Sequence, residues 1–348
     1  MIVKHMEEND ILNKYIIYPE ENDGFKIPFV MLIPKGENIS QTFAVQLETP
    51  PVFESQSLDE IYSKLANART YNFFLKGNKV PTIIPLLPRF DDYYIPFFPK
   101  SVYENRTELL PSFLTEEEKK MFENVDEQVA NMIRKAKEVF NSLGCEVEDK
   151  ALVCGYSASS KFASLFAYLH PDVVKAVIAG GTTGLTVKPV KEIGGRKIEF
   201  PLGICGLPEH LDEYRNIPQF YYIGSNDEND PALCKCEFSK ERDANGNKKP
   251  LLDENGKVLN PILTEDGKYQ ALYKEQYSDD EVDTIYRLFG HTPQERFITT
   301  EKIYNSLGIN ATFRMYDGDH ITVIRNEEMR KDLNSFINDI ILTKDKEK

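Results

Sequence analysis

The chain has 348 residues, 41% of them hydrophobic and 28% charged, which suits one large globular domain with an insertion, or two domains. Its formal net charge of -14 repels a phosphate backbone and argues against nucleic acid as a partner. No apolar run approaches the ~18 residues of a membrane-spanning helix, and Met1 to Asp10 lacks the apolar core of a signal peptide, so the chain reads as cytoplasmic.

In chain order, the first third reads as β-rich. Lys14–Tyr18, Ile27–Ile33 and Thr42–Leu47 are short β-favouring runs split by Pro, Gly and Asn, and Val80–Leu87 is a fourth. A helix follows from Asn124 to Leu143. Its apolar residues Val129, Met132, Ile133, Ala136, Val139, Phe140 and Leu143 fall on one face, and Gly144 supplies the stop. Ala151–Cys154 reads as a buried strand, Gly155 to Ser160 as a turn, and Lys161 to Leu169 as a second helix. Val174–Ala179, Gln219–Ile223 and Ala311–Tyr316 read as further strands, and Glu327 to Leu342 as a closing helix. Strands alternating with helices imply an α/β fold: a mostly parallel sheet with helices on both faces and function at the carboxyl ends of its strands.

Residues 232–290 break that rhythm. Asp243-Ala-Asn245-Gly246, Asp253-Glu-Asn255-Gly256 and Glu265-Asp266-Gly267 are turn sequences about ten residues apart, so successive hairpins are expected. The two Asp-led runs place Gly fourth, where a calcium loop needs it sixth. Helix is expected again from about Asp279 to Leu307, with Thr292-Pro293 as a helix start. The expected organisation is a β-rich segment (1–79) that is part of the core or packed on it, an α/β core (80–231 and 291–348), and a cap or lid (232–290).

The five cysteines, Cys145, Cys154, Cys205, Cys234 and Cys236, are odd in number and irregular in spacing, which suits free thiols. Cys234-Lys-Cys236 lacks a second pair or nearby histidines, so no metal and no cofactor is expected.

The chemistry gathers at Gly155-Tyr156-Ser157-Ala158-Ser159. A serine hydroxyl is a weak nucleophile that needs a base, and its developing oxyanion needs donors. A sharp strand-to-helix turn between small residues presents such a serine clear of a sheet, and this motif has the strand before it and the helix after it. Ser157 is therefore the candidate nucleophile, against the plainer reading of a helix-capping serine. Tyr156 beside it is expected to contact substrate. Of five histidines, only His320 follows a strand near the end of the chain, where the base belongs. The acid that orients it is expected after Gly224-Ser-Asn, at Asp227, with Glu228 and Asp230 as close competitors; Asp317 and Asp319 lie too near His320 in the chain. One oxyanion donor is expected to be the backbone N–H of Ala158. The other is expected from the loop after Val80–Leu87, at Arg89 or Phe90, since Pro88 has no N–H. The Arg89 side chain has two readings: a substrate carboxylate partner or a salt bridge to Asp91 or Asp92.

The elbow, the acid turn and the late histidine together resemble the α/β-hydrolase superfamily. Leu87-Pro88-Arg89, Gly-Tyr-Ser157-Ala-Ser159, Leu169-His170-Pro171 and Gly224…Asp227-Glu-Asn-Asp230 look most like a bacterial esterase-like branch related to polyhydroxyalkanoate depolymerases and feruloyl esterases. The chain departs from the lipase pattern in lacking His-Gly before the oxyanion loop. The resemblance implies a serine esterase acting on a small-molecule ester through an acyl-enzyme. The same triad serves peptidases and acyltransferases, and the reading from another class is a non-catalytic protein of the same fold that binds a ligand or partner.

Overall fold

The computed structural model describes residues 2–8, 11–47, 49, 51–52, 57–67, 78–90, 110–242, 248–254, 256–274 and 276–342. Its strands are β1 (Ile2–Glu8), β2 (Leu12–Tyr18), β3 (Phe29–Pro34), β4 (Phe43–Gln46), β5 (Pro51–Val52), β6 (Thr82–Pro85), β7 (Arg89–Phe90), β8 (Ala151–Tyr156), β9 (Val174–Gly180), β10 (Glu192–Ile193), β11 (Arg196–Lys197), β12 (Gln219–Gly224), β13 (Phe238–Arg242), β14 (Lys248–Pro250) and β15 (Ala311–Tyr316). Nine of them form one sheet in the order β1-β2-β3-β6-β4-β8-β9-β12-β15. The run from β6 to β15 is parallel, and β1, β2 and β3 join it as an antiparallel extension.

The pleat decides which residues face which layer. Phe43, Val45, Ala151, Val153, Val177 and Ala179 point into one core, with the Val125–Ser142 and Ala158–Leu169 helices. Ala44, Leu152, Cys154, Ala176 and Ile178 point into the other, where Met329, Leu333, Ile337 and Ile340 of the Glu327–Leu342 helix cover them. A sheet covered on both faces explains why its central strands read as continuous apolar runs.

A third buried cluster lies apart from the sheet. It joins Leu185, Ile198 and Leu202 to Ala232, Val258, Tyr277, Val282, Tyr286 and Phe289. The expected hairpins of the insertion are visible as the β13–β14 pair and as bridges from Leu252 to Val258 and from Leu263 to Tyr269. The turn at 243–246 lies outside the described residues, as do Asp91, Asp92 and the rest of the aromatic stretch beyond Phe90. Helix resumes at Asp279–Thr284, and Thr292 caps the Pro293–Ser306 helix with a capping box and Pro293 in the first turn.

The connection after β4 leads outward to β6 on one side, while β8 lies on the other. The crevice between the carboxyl ends of β4 and β8 is thus a topological switch point, where open α/β sheets bind ligands.

Candidate active site

At that crevice β8 ends at Tyr156 and the helix starts at Ala158, so Ser157 makes the turn alone, with φ 55° and ψ -119°. A non-glycine residue held in that region is strained, and the elbow around it has to be fixed from both sides. A Cβ on Gly155 would lie 2.3 Å from the backbone oxygen of Ser159, so the approach of strand to helix requires glycine there. Ser159, where relatives of this motif usually carry glycine, has its own use. Its hydroxyl accepts from the Tyr156 N–H and donates to the Tyr156 carbonyl, both at 2.8 Å, which ties the first helical turn to the end of β8.

Ser157, His320 and Asp227 come together. His320 Nε2 is 3.0 Å from Ser157 Oγ, and His320 Nδ1 is 2.8 Å from Asp227 Oδ2. An ionised carboxylate only accepts, so Nδ1 carries the proton and Nε2 presents its lone pair to the serine. Asp227 is 1% exposed. Its other oxygen accepts from the Asn229 N–H at 3.0 Å, and its backbone carbonyl accepts from Gln294 Nε2 at 2.8 Å, so the carboxylate is held at both oxygens and the backbone behind it at a third point.

The competing acids are used elsewhere. Glu228 pairs with Lys249 on β14 at 2.8 Å. Asp230 pairs with Arg296, which is fully buried, at 2.7 Å. Asp319 accepts from the N–H groups of Ile321 and Thr322 in its own turn. Among the other histidines, His170 binds Asp126 at 2.9 Å on the far side of the nucleophile helix, and His210 packs edge-on against Tyr168.

Tyr156, expected to contact substrate, directs its hydroxyl to the backbone carbonyl of His320 and sets its ring 5.4 Å from the imidazole. It positions the loop of the base. Ala158 opens the helix, where N–H groups lack intrahelical acceptors, and among the described residues its N–H meets none. Arg89 lies on β7, paired with Pro51 of β5. The strand beside β8 is β4, and β6 is one strand further out. Arg89 therefore leaves the sheet from a strand two places from β8 and pairs with β5, in the segment that follows β4, and its side chain lies outside the described structure.

A cavity of about 90 Å³ opens beside Ser157 and Ala158, with Lys161, Thr183, Asn229 and Gln276 in its wall. None of these four was singled out from sequence. Lys161 sits one helical turn beyond Ser157, a spacing that puts both on one face. Asn229 follows Asp227 by two residues, and its Nδ2 lies 3.2 Å from His320 Nε2, the same atom that faces the serine. Thr183 and Gln276 arrive on loops after β9 and in the insertion, and no local pattern marks them. Burial pulls the Lys161 ammonium down to about 7, with Asp230 opposing the shift and Arg296 adding to it.

Among the described residues no group of three or more His, Cys, Asp or Glu side chains is placed to hold a metal ion, and no helix is long and apolar enough to cross a membrane. All five cysteines are free thiols.

No protein-family model matches the sequence, and no curated protein matches it significantly. Among solved structures the chain is similar to poly(aspartic acid) hydrolase-1 of Sphingomonas sp. KT-1, at 13% identity over 92% of this chain and 97% of that one, with a TM-score of 0.47. It is similar to an S-formylglutathione hydrolase of Agrobacterium tumefaciens at 11% identity over 97% and 99%, with a TM-score of 0.44. Est1E of Butyrivibrio proteoclasticus is 12% identical over 98% and 99%, with a TM-score of 0.39. With its switch point between β4 and β8, its strand-turn-helix elbow and its antiparallel strand β3 beside β6, the chain has the α/β-hydrolase fold.

Proposed function

We propose that this protein is a serine hydrolase that cleaves carboxylic esters. The observation that carries the reading is the continuous chain of hydrogen bonds from Asp227 through His320 to Ser157, 2.8 Å and 3.0 Å long, at the mouth of a cavity.

In this reading Ser157 Oγ attacks the ester carbonyl while His320 Nε2 takes its proton. The carbonyl oxygen becomes an oxyanion and accepts from the Ala158 N–H, aided by the dipole of the Ala158–Leu169 helix. The second donor comes from the paired β5 and β7 segments, which include Arg89. The imidazolium, stabilised by Asp227, returns its proton to the departing alcohol and leaves an acyl group on Ser157. Water then attacks the acyl-enzyme, again through His320, and the acid departs.

The test is twofold. A fluorophosphonate probe should label the wild type at Ser157 and should not label Ser157→Ala. A graded series of p-nitrophenyl esters should be hydrolysed by the wild type, with the rate lost in the variant. An unlabelled Ser157 in folded protein, with no turnover of any ester, would favour a binding protein on the same fold instead.

A further inference from the structure

The wall of the cavity beside Ser157 holds a buried lysine with no hydrogen-bonded counter-charge among the described residues. Three buried cations lie near one another: Lys161 in the wall, with Arg296 and Lys188 close enough to act on its charge or feel it. Arg296 is matched by Asp230 at 2.7 Å. Lys188 donates to the carbonyls of Gly184 and Thr186 at 2.7 Å and 3.0 Å. Lys161 has neither arrangement. It is 5% exposed, and among the described residues its ammonium has no hydrogen-bond or ion-pair partner, only the Tyr277 ring 5.7 Å away.

A buried charge left unpaired is costly and persists where something else pairs it. A second observation points into the same space. Thr183 lines the cavity, is 1% exposed, and its hydroxyl has no partner among the described residues. Its backbone sits at φ 52°, a conformation that β-branched residues avoid. Asn229 and Gln276 add side-chain amides to the wall. An ammonium, a hydroxyl and two amides around a small cavity make a donor set for a carboxylate.

We infer that this cavity is a carboxylate subsite, and that the substrates are esters bearing a free carboxylate on a short arm from the scissile carbonyl, bound through Lys161 and Thr183. This rests on the hydrolase reading of Ser157. The volume, about 90 Å³, suits a short acid arm. The depressed Lys161 basicity fits a site waiting for an anion, since a bound carboxylate would restore the charged form.

The experiment compares charged and neutral esters of matched size by release of acid or alcohol. Monomethyl glutarate against dimethyl glutarate places the carboxylate on the acyl side; 4-acetoxybutyrate against pentyl acetate places it on the alcohol side. In at least one pair the charged ester should have the higher kcat/KM by roughly tenfold to a hundredfold, the worth of one charge-assisted hydrogen bond. That ratio should collapse in Lys161→Met and be partly kept in Lys161→Arg. A ratio at or below one in both pairs, or a ratio unchanged in Lys161→Met, overturns the subsite. Glutarate titrated calorimetrically into Ser157→Ala separates the two readings. Binding that disappears in Ser157→Ala/Lys161→Met supports the subsite even if no ester is turned over. Turnover of neutral esters without Lys161-dependent glutarate binding leaves the hydrolase standing and removes the subsite.

Discussion

Tyr156 and His320 are joined by a hydrogen bond from the tyrosine hydroxyl to the histidine's backbone carbonyl. The residue before the nucleophile thus fixes the loop that carries the base, and β8 holds one side of the site to β15. Tyr156→Phe removes that bond and keeps the ring against the imidazole. The expected result is a drop in kcat of roughly tenfold with KM little changed, and a stability loss of about 1 kcal/mol. Steady-state kinetics with a melting curve check it; an equal loss in KM would assign Tyr156 to substrate contact.

Asp227 and Asp230 should separate turnover from stability. Asp227→Asn keeps the shape and loses the charge that stabilises the imidazolium, so kcat should fall by roughly 10⁴-fold while the fold persists. Asp230→Asn leaves Arg296 buried without its counter-charge, and should cost about 3–5 kcal/mol of stability. Chemical denaturation and single-turnover rates on both variants distinguish them, and a larger rate loss in Asp230→Asn would move the acid.

Ser159 stands where glycine is usual and clamps the elbow through two hydrogen bonds. Ser159→Ala removes both bonds and should cost about 1–3 kcal/mol. Because Ser157 is held in a strained conformation by those contacts, fluorophosphonate labelling should slow in parallel. Unchanged labelling with lowered stability would show that the clamp serves the fold alone.

Lys161 gives a pH prediction with a definite sign. Burial depresses its basicity to about 7 in the native protein, while an unfolded lysine keeps its proton to about 10.4. Between those values the unfolded chain binds the extra proton, so this group's penalty is greatest at and below pH 7 and fades as pH rises. Lys161→Met should therefore raise Tm most near pH 7 and hardly at all near pH 10.5. Lys188 is depressed to about 7 by its burial, by Arg296 and by Lys161 itself, so removing the Lys161 charge also relieves Lys188 and adds to the gain in the same pH range. A gain in Tm independent of pH would mean that methionine merely packs better.

Much of the fold was written in local pattern. The 125–142 helix shows its buried face as a three-and-four repeat, and β8, β9 and β12 are apolar because both faces of the sheet are covered. Other elements gave little signal. β1 pairs only with β2 at the sheet edge, and its sequence, Ile-Val-Lys-His-Met-Glu-Glu, is the charged kind that edges tolerate. The Leu58–Asn67 helix carries Leu58, Ile61 and Leu65 at helical spacing but lies between the β-favouring runs 42–47 and 80–87. The two-residue strands β5 and β7 exist only by pairing with each other. In the site, Ser157, Asp227 and His320 had order and local context in their favour. Lys161 and Asn229 stood at short offsets from two of them, while Thr183 and Gln276 depend on how distant loops pack.

The acid and the base are 93 residues apart, yet their side chains meet at 2.8 Å. Part of the reason is that the chain is stapled on both sides of the intervening excursion. Gln294 holds the carbonyl of Asp227, and Arg296 holds Asp230, so the strand leaving the sheet and the helix returning to it are locked together at the stem. Closing a long loop costs only slightly more than closing a short one, and here the closure is borne by the stem rather than by the triad. The segment between the staples is therefore free to be lengthened, trimmed or exchanged in evolution or by grafting, retuning what reaches Ser157 while the proton relay keeps its geometry.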